Sequence, residues 1–595
     1  MADMKNLKSN PYGISDFELF RNENYYYVDK TRYIRNIEEK GRYIFLIRPR
    51  RFGKSLFLSI LESYYDIALK DKFDNLFKET YIYDNPTEER NKYLILKFNF
   101  SRLEPGVANI EDAFLKNIKN AVSFFIKKYG SILDIDADNV VMNINSIKNA
   151  AGVMDTLLYY CQGKEKKVYV IIDEYDNFAN TILSTSGEKA FRDITHGEGF
   201  FRAFFNVLKG GTSDVHAPIS RIFMTGVSPI TLDDVTSGFN IAINISLDSD
   251  IDNIMGFTRS EVETMIEYFR QTGKIRHSTS ELIRVMSQWY NHYRFSMECN
   301  EEVFNTVHIL YFLKAYLKNS RIPIELIDRN AQIDYNKLRY LIIIDKKGTP
   351  GLNGNFSKLQ SIIETNSAKT FIKEGFPAER LIEQDNFYSL LYYFGLLTIC
   401  GVSPSGQAIL TIPNEFVKRL YFDYIKEAYR TAYSFSIDMG VLSNLFEEMA
   451  FEGKWEAVIT YIAQQMQDTL SIRDLMSGEK AHQVFWNVYL GLNSLYSVYS
   501  EKELNQGFSD LVLEPFLIRY PGIKYSYIIE LKYIKSFNDS SESIQRLTAL
   551  KEEAVMQLNR YSTDAKFQKL FGSTILKKLV LVFSGNRMIY HGEVE

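Results

Sequence analysis

The sequence predicts a multidomain α/β protein: a parallel sheet built around a phosphate-binding loop, then helical and winged-helix-like subdomains, then a mixed α/β domain. Three observations predict it. Tyr43–Ile47 is a short apolar run followed by Arg48-Pro-Arg-Arg-Phe-Gly-Lys-Ser55 and then by Leu56, Phe57, Ile60 and Leu61 at helical spacing. Lys167-Val-Tyr-Val-Ile-Ile-Asp-Glu-Tyr-Asp176 is a second apolar run, and it ends in carboxylates. Near the C-terminus, Gly507–Leu513 and Tyr525–Tyr533 read as strands carrying Asp510, Glu530 and Lys532.

A chain of 595 residues exceeds what one core can support. The boundaries are expected at 1–250 for the phosphate-loop domain, 251–425 for the helical and winged-helix-like region, 426–472 for a helical linker and 473–595 for the last domain. Hydrophobic content of 46% with 24% charged residues is globular rather than disordered. The net charge of −4 supplies no global basic field, so any nucleic-acid contact has to be local. The 40 Tyr and 42 Phe are read as core packing. Cys161, Cys299 and Cys400 are too scattered for a disulfide framework or a zinc site. No apolar signal segment opens the sequence and no run reaches membrane-spanning length, so a cytoplasmic protein without membrane partners is expected.

The lead-in Tyr25-Tyr-Tyr-Val-Asp-Lys-Thr31 is expected to be a strand, with Asp29 or Thr31 capping the helix after it. In the loop from Arg48 to Ser55, backbone N–H groups and the following helix N-terminus would face phosphates. Gly53 would allow close backbone approach, Lys54 would reach the β- and γ-phosphates, and the Ser55 hydroxyl would ligate Mg²⁺. The usual first glycine is replaced by Arg48, which leaves a variant loop made cationic by Arg48, Arg50 and Arg51. The plain alternative is a basic turn before a core helix.

Residues 93 to 100 read as a strand, and helices are expected at 109–129 and 146–162. The run to Asp176 has the pattern of a buried parallel strand delivering carboxylates to its C-terminal edge. Asp173 would hold Mg²⁺ and Glu174 would polarise the attacking water. The next strand, Arg221–Ser228, brings Thr225 and Ser228, either to sense the γ-phosphate or to cap the loop. Arg202 and Arg221 are both considered as an arginine finger supplied to a neighbouring subunit, with nothing in the sequence to choose between them. From 257 to 340 the pattern is helical, interrupted by the aromatic turn Gln288–Phe295, where His292 is read as packed or hydrogen-bonded. Residues 387 to 417 give helix, hairpin around Pro404-Ser-Gly406, and helix, which suits a winged-helix-like unit.

Antiparallel pairing of the two C-terminal strands would bring Asp510 and Glu530 together, and alternation puts Lys532 on the face of Glu530. Two carboxylates and a lysine can bind Mg²⁺ or Mn²⁺ and activate a water against a phosphodiester. Lys532 would orient the water or offset transition-state charge. Glu479 is a candidate third acid, or a solvated first-turn residue. Gln557 and Tyr561 share one helix face. An ordinary ion pair on an edge strand is the alternative for the whole constellation.

Taken together, Gly13–Phe17, Tyr27–Thr31, Arg48–Ser55, Ile172–Asp176, Thr225–Ser228, Trp289–Phe295, Ile412–Val417, Ser509–Leu513 and Glu530-Leu-Lys532 resemble a bacterial family. That family joins an AAA-ATPase-like P-loop NTPase domain to a C-terminal domain of the PD-(D/E)XK nuclease superfamily. The resemblance implies ATP and Mg²⁺ as cofactors, with nucleotide bound by Arg51, Phe52, Gly53, Lys54, Ser55, Leu56, Asp173, Thr225 and Ser228, and Glu174 at the hydrolytic position. It implies a nuclease metal site, for Mg²⁺ or Mn²⁺, at Asp510 and Glu530 with Lys532, supported by Gln557 and Tyr561. Nucleic acid is the implied partner, DNA ahead of RNA, and a homo-oligomer is left open. Two features depart from the pattern. The family's turn usually has Asp-Gly where this chain has Asn291-His292, and the acid of the first nuclease helix has no obvious equivalent, so Glu479 stays open. A nucleotide-dependent binding module whose nuclease-like domain recognises without cleaving is the second reading.

Overall fold

The computed structural model describes residues 7–102, 110–177, 182, 190–194, 199–213, 215–230, 241–330, 354–469, 476, 478–504, 507–538, 540–562 and 571–594. The chain divides into two compact units, one of residues 1–331 and 369–414 and one of 332–368 and 415–595. Among the described residues, no helix is long and apolar enough to cross a membrane.

The first unit is organised by five parallel strands. They are β1 (Tyr43–Ile47), β2 (Tyr93–Asn99), β3 (Lys167–Asp173), β4 (Ile219–Gly226) and β5 (Ile243–Asn244), in the order β2-β3-β4-β1-β5. Their near-continuous apolar composition follows from burial on both faces. Phe57, on the helix after β1, meets Phe223 on one face, and Phe204, on helix Phe200–Gly210, meets Phe98 on the other. Between β2 and β3 lie helices Ile110–Leu133, Ala137–Ser146 and Ala150–Cys161. The middle one starts where the Asp136 carboxylate accepts from the N–H groups of Asp138 and Asn139.

Two expectations about the lead-in are corrected. Tyr25 to Asp29 is extended chain with a single isolated bridge, Ser9 to Tyr25, rather than a strand. Its side chains are pulled into packing instead of a ladder, with Tyr27 edge-on to Phe17 and Phe20. Asp29 and Thr31 do not cap the helix that follows them, Tyr33–Lys40, which lacks a side-chain cap. They accept from the N–H groups of Tyr81 and Ile82 and so cap the distant helix Tyr81–Asp84.

After the sheet come β6 (Phe257–Thr258) and β7 (Val303–Phe304), paired antiparallel, and the helices Arg259–Arg270, Thr279–Tyr290 and Thr306–Asn319. The first two helices open with capping boxes, Thr258 with Glu261 and Ser278 with Glu281. His292 is hydrogen-bonded, its Nδ1 2.7 Å from Glu302 Oε2. It stands at φ 72, the left-handed region that glycine enters without cost, which accounts for Gly being usual at this turn. The winged-helix-like element consists of helix Gln384–Tyr393 and a sheet of β8 (Ala368–Thr370), β9 (Thr398–Val402) and β10 (Ala408–Thr411) in the order β8-β10-β9.

The second unit is built on a mixed sheet of β11 (Tyr496–Leu504), β12 (Gly507–Pro515), β13 (Tyr525–Tyr533), β14 (Ile575–Ser584) and β15 (Arg587–Val594), in sequence order. Only β13 and β14 run parallel. Helix Ser541–Ser562 packs Ala554, Leu558 and Tyr561 against Val512, Ile528, Val580 and Val582 on one face. On the other face, His482 and Trp486 of helix Glu479–Gly491 lie against Phe583. Of the stretch 426–472, read as a helical linker, residues 426–469 are described, and their helices pack in this unit. Tyr527 donates to the Met449 carbonyl, and Trp455 Nε1 donates to Glu593.

Candidate active sites

The first site lies at the C-terminal edge of the parallel sheet. The loop after β1 turns through Arg51 at φ 71 and Gly53 at φ 98 before the helix Lys54–Tyr65 begins. Its carbonyls are all engaged by protein donors. Lys54 Nζ donates to Arg48 O and Pro49 O at 2.9 and 3.0 Å. Asn305 Nδ2 donates to Arg50 O, Val307 N to Arg51 O, and Gly256 N and Thr306 Oγ1 both donate to Phe52 O. Phe57 N donates to Gly53 O. The N–H groups of Phe52, Gly53, Lys54 and Ser55 are taken by none of the described residues. The loop therefore turns its acceptors into the protein and keeps donors for an anion.

Arg48 does not add to the positive face of the loop as the sequence reading held. Only 1% of it is exposed, and its guanidinium donates to the carbonyls of Ile47, Ser246 and Ile251 and lies 4.3 Å from the centroid of the Phe295 ring. Where a glycine is usual, this arginine points away from the loop mouth and nails β1 to the segment beyond β5. Phe52 points inward too, edge-on to Tyr293 and Phe295 at 4.9 and 5.4 Å. Its side chain belongs to the core, and only its backbone faces the site. The aromatic turn of the sequence is thus the floor beneath the loop.

Ser55 Oγ donates to Asp173 Oδ2 at 2.7 Å, and Thr225 Oγ1 donates to Asp173 Oδ1 at 3.1 Å. Loop, β3 and β4 thereby converge on one carboxylate. Glu174 follows at φ 53, a left-handed conformation that is uncommon for a non-glycine residue. Burial lowers the basicity of Lys54, and the nearby Glu174, Asp173 and Asp176 oppose that. Asp176 is pushed up to about 6 by burial and by Glu174, although Val227 and Ser228 donate their N–H groups to it. The Ser228 hydroxyl accepts from Ile230 N and caps its own loop. Leu56 is half-buried in the first helical turn. Arg221 lies near the start of β4, at the end of the strand away from this site, where it donates to Tyr93 and Gly41.

Gly226 permits this convergence. A Cβ there would collide with the Tyr175 ring and stand 2.5 Å from Asp176 Oδ1. Gly226→Ala is expected to cost about 2–3 kcal/mol by overpacking. A thermal melt of the variant checks this, and an unchanged melting temperature would refute it.

The second site lies on the mixed sheet. Leu511 pairs with Ile529 and Val512 with Ile528, so Asp510 stands opposite Glu530. Asp510 Oδ2 accepts from Leu531 N at 2.7 Å, which fixes the carboxylate against β13. Lys532 Nζ is 3.3 Å from Glu530 Oε1 and 3.2 Å from Glu553 Oε1. Glu530 Oε2 is buried and lacks a hydrogen-bond partner among the described residues, as does Gln557 Oε1. Burial, reinforced by Asp510 and Glu479 and opposed by Lys532, pushes Glu530 up to about 8. Burial alone would lower the Lys532 ammonium, but Glu530, Glu553 and Glu479 outweigh it and raise it. Glu479 is itself raised by burial, and the charges of Lys532 and Glu553 reach it. Tyr561 feels Glu530 and Asp510.

Residues 11–236 match the family described as predicted AAA-ATPase, and residues 477–593 match the PD-(D/E)XK nuclease superfamily. The chain joins an AAA-ATPase-like domain to a PD-(D/E)XK nuclease-superfamily domain. It is 27% identical over 304 residues to an uncharacterized protein of the vnfD 5′ region of Azotobacter chroococcum mcd 1, and the match covers 51% of each chain. This chain thus spans about half the length of that relative. Among solved structures it is similar to a Walker-type ATPase of Pyrococcus abyssi, at 13% identity and a TM-score of 0.35, covering 70% of this chain and 99% of the other. It is also similar to Cdc6p of Pyrobaculum aerophilum, at 12% identity and a TM-score of 0.22, covering 67% and 91%. Likenesses this distant bear on nothing further.

In the AAA-ATPase-like domain, the structure gathers Gly53, Lys54, Ser55, Asp173, Glu174 and Thr225 at one sheet edge. In the nuclease-superfamily domain it gathers Asp510, Glu530 and Lys532, with Glu479, Gln557 and Tyr561 around them. Two contributors escaped the sequence reading. Asn305 with Thr306 braces the phosphate loop, and Glu553 shares the ammonium of Lys532. The Asn305 N-cap signal is legible in sequence, but its second bond to a loop some 250 residues earlier is not.

Among the described residues, no group of three or more His, Cys, Asp or Glu is arranged to hold a metal. The nuclease-superfamily site offers two carboxylates, one with an orphaned buried oxygen. That donor set fits a hard cation that keeps several waters, Mg²⁺ or Mn²⁺, rather than zinc.

Proposed function

We propose that the chain binds and hydrolyses ATP in its N-terminal domain and cleaves nucleic-acid phosphodiesters, DNA ahead of RNA, in its C-terminal domain. The observation that carries this reading is the meeting of Asp510, Glu530 and Lys532 on the adjacent interior strands β12 and β13, with a carboxylate oxygen of Glu530 buried and unpartnered among the described residues. A buried carboxylate oxygen without a partner costs free energy that a bound ligand would offset. Asp510 and Glu530 would hold Mg²⁺ or Mn²⁺, which when bound supplies a water acidic enough to attack a phosphodiester. Lys532 orients that water or offsets charge on the phosphate, and Gln557 and Tyr561 line the approach. In the ATPase-like domain, Lys54 leaves the carbonyls of Arg48 and Pro49 for the nucleotide phosphates. Ser55 and Asp173 would hold the magnesium that accompanies ATP, and Glu174 would position water. The loop support is the pairing of every carbonyl from Arg48 to Gly53 with a protein donor.

The test is cleavage of DNA and RNA with Mg²⁺ or Mn²⁺, with and without ATP, comparing wild type with Lys54→Ala and Glu530→Gln. Cleavage lost in Glu530→Gln and altered in Lys54→Ala is the expected result. Cleavage retained in Glu530→Gln refutes the nuclease assignment. Intact ATP turnover with no cleavage under any condition favours a nucleotide-driven binding module.

A further inference from the structure

The Lys532 ammonium is shared between two carboxylates, and only one of them belongs to the proposed metal site. Its side chain is 7% exposed, and a buried ammonium has donors that must all find partners. Lys532 holds Glu530 Oε1 while Oε2 is unpartnered among the described residues, so a divalent cation entering at Oε2 would share one carboxylate with the ammonium, and the two positive charges would repel across it. Glu553 resolves this conflict. It sits on helix Ser541–Ser562, one turn before Gln557 and two before Tyr561, on the side that packs against β13. Its Oε1 is 3.2 Å from Lys532 Nζ, while its side chain is 53% exposed and can move.

We propose that Glu553 is a positioning residue that holds the Lys532 ammonium when the Glu530 carboxylate turns to a divalent cation. The proposal rests on the metal reading of the Asp510–Glu530 pair. Glu553 keeps the lysine charged, partnered and close to the phosphate position while Glu530 is released. Without Glu553, the lysine competes with the cation for Glu530, and cation binding weakens. The adjacent Glu552 carries the same charge on an exposed side of the same helix. It separates a general field effect from positioning.

The test is Mn²⁺ binding to the full chain, followed by calorimetry or by electron paramagnetic resonance, with neither nucleic acid nor ATP present. Wild type is expected to bind and Glu530→Gln to lose binding. Glu553→Gln is expected to weaken Mn²⁺ binding about tenfold, whereas Glu552→Gln changes it less than about twofold. With Lys532→Met as background, adding Glu553→Gln is expected to cost less than about twofold, because the competitor is gone. Glu553→Asp retains the carboxylate and restores part of the loss. Glu553→Gln matching wild type or Glu552→Gln overturns the proposal and leaves the metal reading standing. So does a tenfold loss that persists in the Lys532→Met background. A wild type that binds no Mn²⁺ overturns both.

Discussion

Replacing Glu530 by glutamine is expected to abolish metal-dependent cleavage while stabilising the metal-free protein. The two effects share one cause. Glu530 is 3% exposed and faces Asp510, so its anion is disfavoured and its carboxyl is pushed up to about 8. The folded value lies above the ordinary 4.5, so between about pH 4.5 and 8 the folded state holds a proton that the unfolded state releases. Stability of the wild type therefore falls as pH rises through that window. Glutamine carries no charge and removes the penalty, and Lys532 keeps Glu553 as a partner. Melting curves in a chelator at pH 5, 6, 7 and 8 should show the variant gaining on wild type with each step. A gap independent of pH, or a variant less stable at pH 8, would disprove the account. Adding Mg²⁺ should raise the wild-type melting temperature and leave the variant unmoved. Loss of a ligating carboxylate is expected to reduce cleavage by at least about a hundredfold, the scale on which removing one transition-state contact acts.

Lys54→Ala is expected to lower ATP turnover by at least about a hundredfold. Lys54 is 6% exposed and supplies the donor for Arg48 O and Pro49 O while the phosphates are absent. Alanine leaves both carbonyls without that donor, at a cost of about 1–3 kcal/mol. The variant should therefore melt lower than wild type even before nucleotide is added, and the thermal shift on adding ATP should vanish. Turnover and ATP-induced shift measured together check the prediction. A variant that keeps both places the nucleotide elsewhere.

The strand, turn and helix around Gly53 and the arrival of Asp173 beside Ser55 were legible because the pattern is local: a short apolar run, a glycine and a lysine in fixed spacing predict that layout. The facing of Asp510 and Glu530 was legible for another reason: two consecutive strands pair antiparallel, their buried faces restrict the register, and alternation then puts Lys532 on the face of Glu530. Arg48 misled because a basic residue in a basic loop reads as solvated, and nothing nearby announces the carbonyls of Ser246 and Ile251. Asp29 and Thr31 misled because capping residues normally serve the next helix, and here they serve one some 50 residues on. Glu553 reads as one of many surface acids on an amphipathic helix, and only the docking of that helix on β13 assigns it a partner.

The interleaving of the two units bears on how the protein is made. Helix Gly354–Thr365 leaves the ribosome well before the sheet it packs against. Phe356 lies against Tyr429, the Ile363 carbonyl accepts from Ser500, and Glu364 pairs with Lys480 at 2.5 Å. The second unit therefore waits, with this helix already synthesised, until its last strands emerge. For the same reason a fragment cut at residue 473 carries the five-stranded sheet without its full cover. It lacks the Met449 carbonyl that Tyr527 donates to, the Trp455 that Glu593 accepts from, and the helix that Ser500 and Lys480 hold. An excised nuclease-superfamily domain begins its life as a half-assembled core, and only the intact chain carries both strands of that history.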